Sequence, residues 1–103
     1  MNAKGLFLAG ALLGAPALAT AGDIAAGKLK ARACQTCHGM DGLSKIPEAP
    51  NLAGQVESYL AKALDEFRKG VRKNDMMSLV APGLSDADVA NLAAYYASLP
   101  PGG

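Results

Sequence analysis

The sequence has 103 residues and contains few of the residue types from which metal sites are usually built. It has two cysteines, one histidine and no tryptophan. A structural zinc site takes four ligands, usually cysteine and histidine, so these three side chains do not complete one. The formal net charge is +1 at pH 7, which argues against a nucleic-acid-binding protein, because such proteins carry a clustered basic excess. The length indicates one small domain.

Long apolar runs are absent except near the N-terminus. A run of apolar and small residues begins at Gly5 and is interrupted by glycines and a proline. It is shorter than the roughly 20 residues of a membrane-spanning helix, and small residues follow it, as in a secretory signal peptide. We predict a signal peptide over residues 1–21, cleaved after Ala19 or Ala21, and one domain over residues 22–103. This predicts a periplasmic protein without a membrane span after cleavage; a retained helical anchor is the alternative.

The remaining sequence carries helical patterns and no strand pattern. Apolar residues recur at helical spacing in three segments, namely residues 23–33, 56–69 and 86–99. Gly70 follows the second segment where a left-handed helix end is expected, and Ser85 precedes the third as an N-cap. Glycines and prolines in residues 39–55 predict a wrapping loop. The sequence therefore predicts an all-α fold.

Two of these segments have apolar faces that predict their packing. The first is expected to be amphipathic, with Ile24 and Leu29 among its apolar residues. The third segment has an apolar stripe made of Val89, Leu92, Ala93, Tyr96 and Leu99. Two prolines follow this stripe and are expected to end the helix, because proline supplies no backbone donor.

One motif is strongly specific: the segment Cys34-Gln35-Thr36-Cys37-His38 has the form C-x-x-C-H. This motif attaches haem covalently in c-type cytochromes. Two thiols about one helical turn apart can meet the two vinyl groups of the porphyrin, and His38 then becomes the proximal iron ligand. A disulfide or a thioredoxin-like redox pair is the rival interpretation, but a thioredoxin-like site lies beside a βαβ unit, and no strand is predicted here.

The single histidine limits the second axial ligand of the iron. A second imidazole from the same chain is excluded, which leaves methionine, lysine, water or an open position. Met1 is removed with the signal peptide, and Met40 lies too close to His38 along the chain to reach the opposite face of the ring. Met76 and Met77 remain as candidates, and the one that does not bind iron is expected to fill space in the core.

The ligand pair bears directly on function. A thioether favours ferrous iron and raises the reduction potential relative to a second imidazole. An iron with six ligands has no open position for a substrate. The motif and the methionine pair therefore predict an electron carrier and not an enzyme.

Three features together make the chain similar to a known family. These features are residues 34–39, the segment Pro50-Asn51-Leu52, and a late methionine that precedes a helix start of sequence Leu-Ser-Asp. In them the chain resembles the class I c-type cytochromes, which are small bacterial monohaem proteins. The resemblance covers nearly all of the predicted domain. It implies the small cytochrome c fold, with three main helices and loops wrapped around one haem c bound through Cys34 and Cys37.

The resemblance also implies roles for individual residues. The carbonyl of Pro50 is expected to accept a hydrogen bond from the ring of His38, which strengthens the donation of the imidazole to iron. In the family the methionine ligand lies about seven residues before the leucine that opens the last helix, which here is Leu84. The resemblance therefore implies that Met77, rather than Met76, is the second iron ligand. The family crosses its first and last helices closely, and here Gly27 is expected to face Leu92 and Tyr95. The first helix lacks the aromatic residue that the family has at this crossing.

Basic side chains cluster after the middle of the second helical segment; they are Lys62, Arg68, Lys69, Arg72 and Lys73. They form either a solvated helix face or a surface that docks an acidic redox partner near the haem edge. The partners expected for this chain are redox proteins bound transiently, with no nucleic acid.

Three functions fit these observations. The first is a free periplasmic carrier that transfers one electron on a haem ligated by His38 and Met77. The second is the haem subunit of a larger redox enzyme such as a flavocytochrome sulfide dehydrogenase. The third is a five-coordinate haem protein that binds gases or peroxide, which holds only if neither Met76 nor Met77 binds the iron.

Overall fold

The computed structural model describes residues 22–102, so the predicted signal peptide lies outside the described residues. The α-helices are α1 (Ile24–Lys30), α2 (Gln35–His38), α3 (Glu57–Arg68), α4 (Met77–Val80) and α5 (Asp86–Ser98). Two 3-10 turns, Ala31–Ala33 and Ala81–Gly83, precede α2 and α5. Residues 22–102 contain no β-strand, and the predicted all-α fold is confirmed. None of the helices in this range is both long and apolar enough to span a membrane.

Local signals set the ends of the two longest helices. The side chain of Ser85 accepts a hydrogen bond from the backbone N–H of Asp88, and the Asp88 carboxylate accepts one from the N–H of Ser85, as in a capping box. Leu99 leaves the helical conformation in front of Pro100. At the end of α3, Gly70 adopts a φ of +76°, as predicted, and the chain turns away from the helix there.

Helices α1 and α5 cross at a distance set by backbone atoms. A Cβ atom at Gly27 would overlap the carbonyl of Asn91 and come within 2.8 Å of the Cβ of Tyr95. The backbone N–H of Asp23 also donates to the side chain of Asn91 at 2.8 Å. The predicted contact of Gly27 with Tyr95 is confirmed, but the backbone of Asn91, and not Leu92, supplies the other nearest atoms.

This crossing determines which side chains of α1 are buried. Gly27 and Ala31 are buried, whereas Ile24 is 51% exposed and Leu29 is 63% exposed. The face of α1 that is buried is the one that carries Gly27, and the larger apolar residues of the amphipathic pattern do not lie on it. The physical reason is that helices this close together accept only small residues between them, so the larger apolar side chains lie on other faces of α1.

The core lies between α1, α3 and α5. Its buried members are Ala31, Leu60, Leu92, Ala93, Tyr95 and Tyr96. Helix α5 packs against α1 on one side and α3 on another, so it buries more of its surface than one stripe. The predicted stripe omitted Ala94 and Tyr95, which are buried, and included Leu99, which is only partly buried. A helix that is covered on two sides buries apolar residues around more of its circumference, so a prediction of one apolar stripe misses some of them.

Candidate functional site

A cavity of about 790 Å³ opens between α2, the loop of residues 39–55, and helices α3, α4 and α5. Proteins commonly use cavities of roughly 300–1,000 Å³ to bind small molecules and cofactors. Most of the lining is apolar, and α3 and α5 contribute Leu60, Leu64, Phe67 and Leu92 to it. The same cavity also holds all the side chains that the sequence predicted as site residues.

Both cysteines line one edge of this cavity. Cys34 follows the 3-10 turn, Cys37 lies in α2, and the backbone N–H of His38 donates to the carbonyl of Cys34 at 3.0 Å. The two thiols are therefore about one helical turn apart on the same side of the chain. Burial raises the pKa of the Cys34 thiol above its ordinary value. Neither cysteine is in a disulfide.

The ring of His38 is 7% exposed and lies in a defined orientation. Its Nδ1 lies 2.9 Å from the carbonyl oxygen of Pro50. A carbonyl oxygen can only accept, so Nδ1 carries the proton and donates it to this bond. In the neutral ring the lone pair of Nε2 is then free to bind a metal, and the hydrogen bond increases its basicity.

The loop that carries Pro50 is attached to the C-x-x-C-H segment at several points. The N–H of Lys45 donates to the carbonyl of Cys37 at 2.8 Å, and the N–H of Leu52 donates to the carbonyl of Gly42 at 2.8 Å. The side chain of Asn51 accepts from the N–H of Ser44 at 2.7 Å. These bonds close the loop on itself and hold the Pro50 carbonyl against the His38 ring.

Two tyrosines of α5 hold the chain that follows His38. The hydroxyl of Tyr95 donates to the carbonyl of Met40 at 2.6 Å, and the hydroxyl of Tyr96 donates to the carbonyl of Gly39 at 3.3 Å. Burial raises the pKa of the Tyr96 hydroxyl, so it remains a proton donor. The sequence pattern predicted only a packing role for both tyrosines. A buried tyrosine requires a partner for its hydroxyl, and that requirement is the signal that was missed.

Met76 and Met77 both line the cavity. The side-chain oxygen of Asn74 accepts from the N–H of Met76 and from the N–H of Met77, each at 3.0 Å. The hydroxyl of Ser78 accepts from the N–H of Asn74 at 2.9 Å. Asn74 thus forms an Asx turn that starts α4, a role that an asparagine before a short helix can indicate in sequence and that was not predicted.

This set of residues fits one class of cofactor. The two thiols occupy one edge of the cavity, and the imidazole of His38, with a free Nε2, follows them directly in the chain. Two thioethers line the same cavity, and apolar side chains form its walls. These are the groups that bind haem covalently and ligate its iron. Residues 22–102 contain no group of three or more His, Cys, Asp and Glu side chains arranged to hold a metal ion directly.

The basic cluster predicted from the sequence is largely paired with acids of the same chain. Lys62 lies 3.4 Å from Glu66, and Lys69 lies 2.9 Å from Asp65. Arg68 contacts Asp65 at 2.6 Å and Asp86 at 2.7 Å. The pKa of the Asp65 carboxyl is lowered by its hydrogen bond with Lys69 and then by that with Arg68.

For Lys62, Arg68 and Lys69, these pairs favour the solvated helix face over a surface that docks an acidic redox partner. The fourth member, Arg72, differs because it lines the cavity.

Comparison with known proteins gives consistent matches. The family described as Cytochrome c matches residues 24–100. The protein named cytochrome c-554(548), from Halomonas halodenitrificans, is 47% identical over 81 residues, which cover 76% of this chain and 98% of that protein. A protein of Thiomonas intermedia named thiosulfate dehydrogenase electron acceptor is 45% identical over 98 residues, covering 93% of this chain and 45% of that protein.

A solved structure also matches. The crystal structure of reduced recombinant cytochrome c4 from Pseudomonas stutzeri superposes with a TM-score of 0.69 at 39% identity, covering 78% of this chain and 47% of that chain. This chain therefore spans less than half the length of the Thiomonas protein and of the cytochrome c4 chain. It spans nearly the whole length of the Halomonas protein.

Proposed function

Because the chain belongs to the cytochrome c family and carries covalently attached haem c, we propose that it transfers single electrons between redox proteins, with the haem iron ligated by His38 and Met77. It is an electron-transfer protein like its relatives. The observation that carries the proposed ligation is the convergence of Cys34, Cys37, His38 and the methionine pair on one apolar cavity.

His38 is proposed as the proximal ligand. When bound, haem supplies the one-electron couple between ferric and ferrous iron. The hydrogen bond from Nδ1 to the Pro50 carbonyl supports the assignment, since it fixes the ring and leaves Nε2 as the nitrogen that donates to iron. The apolar walls exclude water, which disfavours the extra positive charge of the ferric state.

Met77 is proposed as the second ligand. Met76 is 57% exposed, whereas Met77 is partly buried and is the first residue of α4. The side-chain oxygen of Asn74 accepts a hydrogen bond from the backbone N–H of Met77. This bond fixes the position of the Met77 backbone at the cavity. A thioether at this position closes the iron to substrates and supports a carrier without catalytic activity of its own.

The proposal includes the cellular location and the extent of the domain. A signal peptide over residues 1–21, cleaved after Ala19 or Ala21, and a haem domain over residues 22–103 are consistent with the apolar run near the N-terminus. Export supports a periplasmic protein.

The proposed partners are redox proteins that bind transiently. The Thiomonas relative is named as an electron acceptor of thiosulfate dehydrogenase, which supports a dehydrogenase as one class of electron donor. Two arrangements fit such a partner, namely a free carrier and the haem subunit of a larger redox enzyme. The mass of the purified protein in solution distinguishes these two arrangements.

The test of the ligation is an optical spectrum of the oxidised and reduced holoprotein. Sulfur bound to ferric iron gives a weak band at the near-infrared edge of the spectrum. We expect this band in the unmutated protein, its loss in Met77→Ala and its retention in Met76→Ala. Loss in Met76→Ala alone would transfer the ligand role to Met76. Absence of the band in the unmutated protein would refute methionine ligation and favour a gas- or peroxide-binding haem protein.

A further inference from the structure

The cavity proposed to hold the haem is largely apolar, but the haem itself carries two propionate carboxylates. Placing an ionised carboxylate against apolar surface is costly unless a positive charge or hydrogen-bond donors accompany it. The walls formed by α3 and α5 offer no positive charge, and their hydrogen-bond donors are the hydroxyls of Tyr59 and Tyr96. The propionates must therefore lie where polar side chains reach the cavity.

The polar side chains that line the cavity include only one cation in the described part of the chain. Arg72 is this cation, while Glu48 and Asp75 are acidic and would repel a carboxylate. Arg72 follows the turn at Gly70, and its own N–H donates to the carbonyl of Glu66 at 3.0 Å. This bond ties the backbone of Arg72 to the end of α3.

The guanidinium of Arg72 is held in position before any anion binds. Its central carbon lies 4.9 Å from the centre of the Phe67 ring, a cation–π arrangement. One of its nitrogens donates to the hydroxyl of Tyr59 at 3.4 Å, and both Phe67 and Tyr59 line the same cavity. An arginine fixed in this way loses little side-chain entropy when it binds a carboxylate.

Arg72 also differs from Lys62, Arg68 and Lys69 in its lack of an acidic partner among the described residues. Lys62, Arg68 and Lys69 each lie within salt-bridge distance of a carboxylate. Among residues 22–102 no carboxylate lies within that distance of Arg72. Its charge and its planar pair of donors are thus available to an anion inside the cavity.

We propose that Arg72 binds a haem propionate through its guanidinium, with the hydroxyl of Tyr59 as a neighbouring polar group. This inference rests on the proposed function, since it requires haem in this cavity, but it does not depend on which methionine is the iron ligand. A fixed positive charge beside the ring favours the reduced state of the haem. Arg72 therefore raises the reduction potential as well as anchoring the cofactor.

The first test is the reduction potential of the holoprotein at neutral pH. We expect Arg72→Gln to shift the equilibrium toward the oxidised state by roughly three- to tenfold, where tenfold equals about 59 mV for a one-electron couple. Arg72→Lys keeps the charge and is expected to retain most of the potential. Lys69→Gln is the matched control, because Lys69 is a neighbouring cation that pairs with Asp65 and does not line the cavity.

The second test separates propionate binding from a merely structural role. Haem labelled with carbon-13 at its propionate carboxyls identifies their stretching bands in reduced-minus-oxidised infrared spectra. Arg72→Gln is expected to shift one labelled band, and Lys69→Gln is expected to leave both unchanged. If Arg72→Gln does not assemble, Arg72→Lys is expected to shift the same band by a smaller amount, because lysine lacks the planar fork.

Unchanged labelled bands in the variant that assembles, or a potential no different from that of Lys69→Gln, would overturn the proposal. The near-infrared band of the unmutated protein is recorded in the same samples. Its absence would refute the proposed methionine ligation while leaving the propionate result readable, so failure of one proposal is distinguishable from failure of the other.

Discussion

At the scale of single residues, the closest contact between α1 and α5 depends on Gly27. A Cβ atom there would overlap the Asn91 carbonyl, and both partners are backbone or backbone-adjacent atoms that do not rotate away. Helix α1 is joined to the C-x-x-C-H segment by the 3-10 turn Ala31–Ala33. A displacement of α1 is therefore expected to pass to the cysteines that follow it.

We predict that Gly27→Ala lowers the free energy of unfolding of the holoprotein by about 1–3 kcal/mol, the usual range for added volume at a packed site. Denaturant unfolding monitored by far-ultraviolet circular dichroism measures it. Gly83→Ala is the control, because a Cβ at Gly83 meets no atom within 4 Å. Equal stability of Gly27→Ala and the unmutated protein would show that the helices can separate without cost.

At the scale of secondary structure, α5 organises the domain because it packs against α1 and α3 and bonds to the start of the loop of residues 39–55. Its capping box begins the helix, and its tyrosines hold the carbonyls of Gly39 and Met40. Asp88 adds an ion pair to Lys30 of α1 at 3.4 Å. The start of α5 thus connects the two crossing helices.

We predict that Ser85→Ala destabilises the holoprotein by about 1 kcal/mol, because the N–H of Asp88 loses its side-chain acceptor. Chemical denaturation at neutral pH measures the change. The exposed Ser58→Ala, on α3 after its first residue, is the comparison. A loss no greater than that of Ser58→Ala would mean that water replaces the cap at no cost.

The Asp88 carboxyl gives this cap a defined pH dependence. Its pKa is lowered first by the hydrogen bond from the N–H of Ser85 and further by Lys30. The charged form is favoured in the folded state, so its contribution to stability is complete well above the ordinary value of 3.8 and is lost as the pH falls below it.

We predict that Asp88→Asn is less stable than the unmutated protein at pH 7 and that this difference shrinks as the pH falls below 4. Thermal melts across the pH range measure it. Glu57→Gln is the control, since Glu57 makes no ion pair among the described residues. A difference that is constant with pH would show that the charge of Asp88 contributes nothing.

At the scale of the whole molecule, the haem cavity is large compared with the core that surrounds it. The cavity measures about 790 Å³, and the core cluster has six buried residues. A domain this small buries a modest fraction of its surface and usually needs a cofactor or a disulfide for stability. Its cysteines form no disulfide.

We predict that the variant with both Cys34→Ala and Cys37→Ala, purified without haem, is largely unfolded because it lacks the apolar surface of the ring. Thermal melting by circular dichroism tests this, with the holoprotein as reference. Cys37→Ala alone keeps one site of attachment and is expected to fold with intermediate stability. A cooperative melt of the double variant that matches the holoprotein would contradict the prediction.

The sequence by itself determined the features that depend on short spacings along the chain. The C-x-x-C-H segment identified the cofactor, the single histidine excluded a second imidazole, and Ser85 and Gly70 marked helix ends. Each of these signals acts within one or two helical turns. The Pro50 contact with His38 was also anticipated, through the family resemblance.

The tertiary structure decided what depends on residues far apart in sequence. The crossing at Gly27 left Ile24 and Leu29 exposed, and the tyrosines of α5 reached carbonyls more than fifty residues away. The fold also paired Arg68 with Asp86, 18 residues further along the chain, while placing Arg72 on the cavity. The sequence presents these basic residues as one cluster, but their surroundings differ because Arg68 ends α3 near the start of α5, whereas Arg72 follows the turn at Gly70.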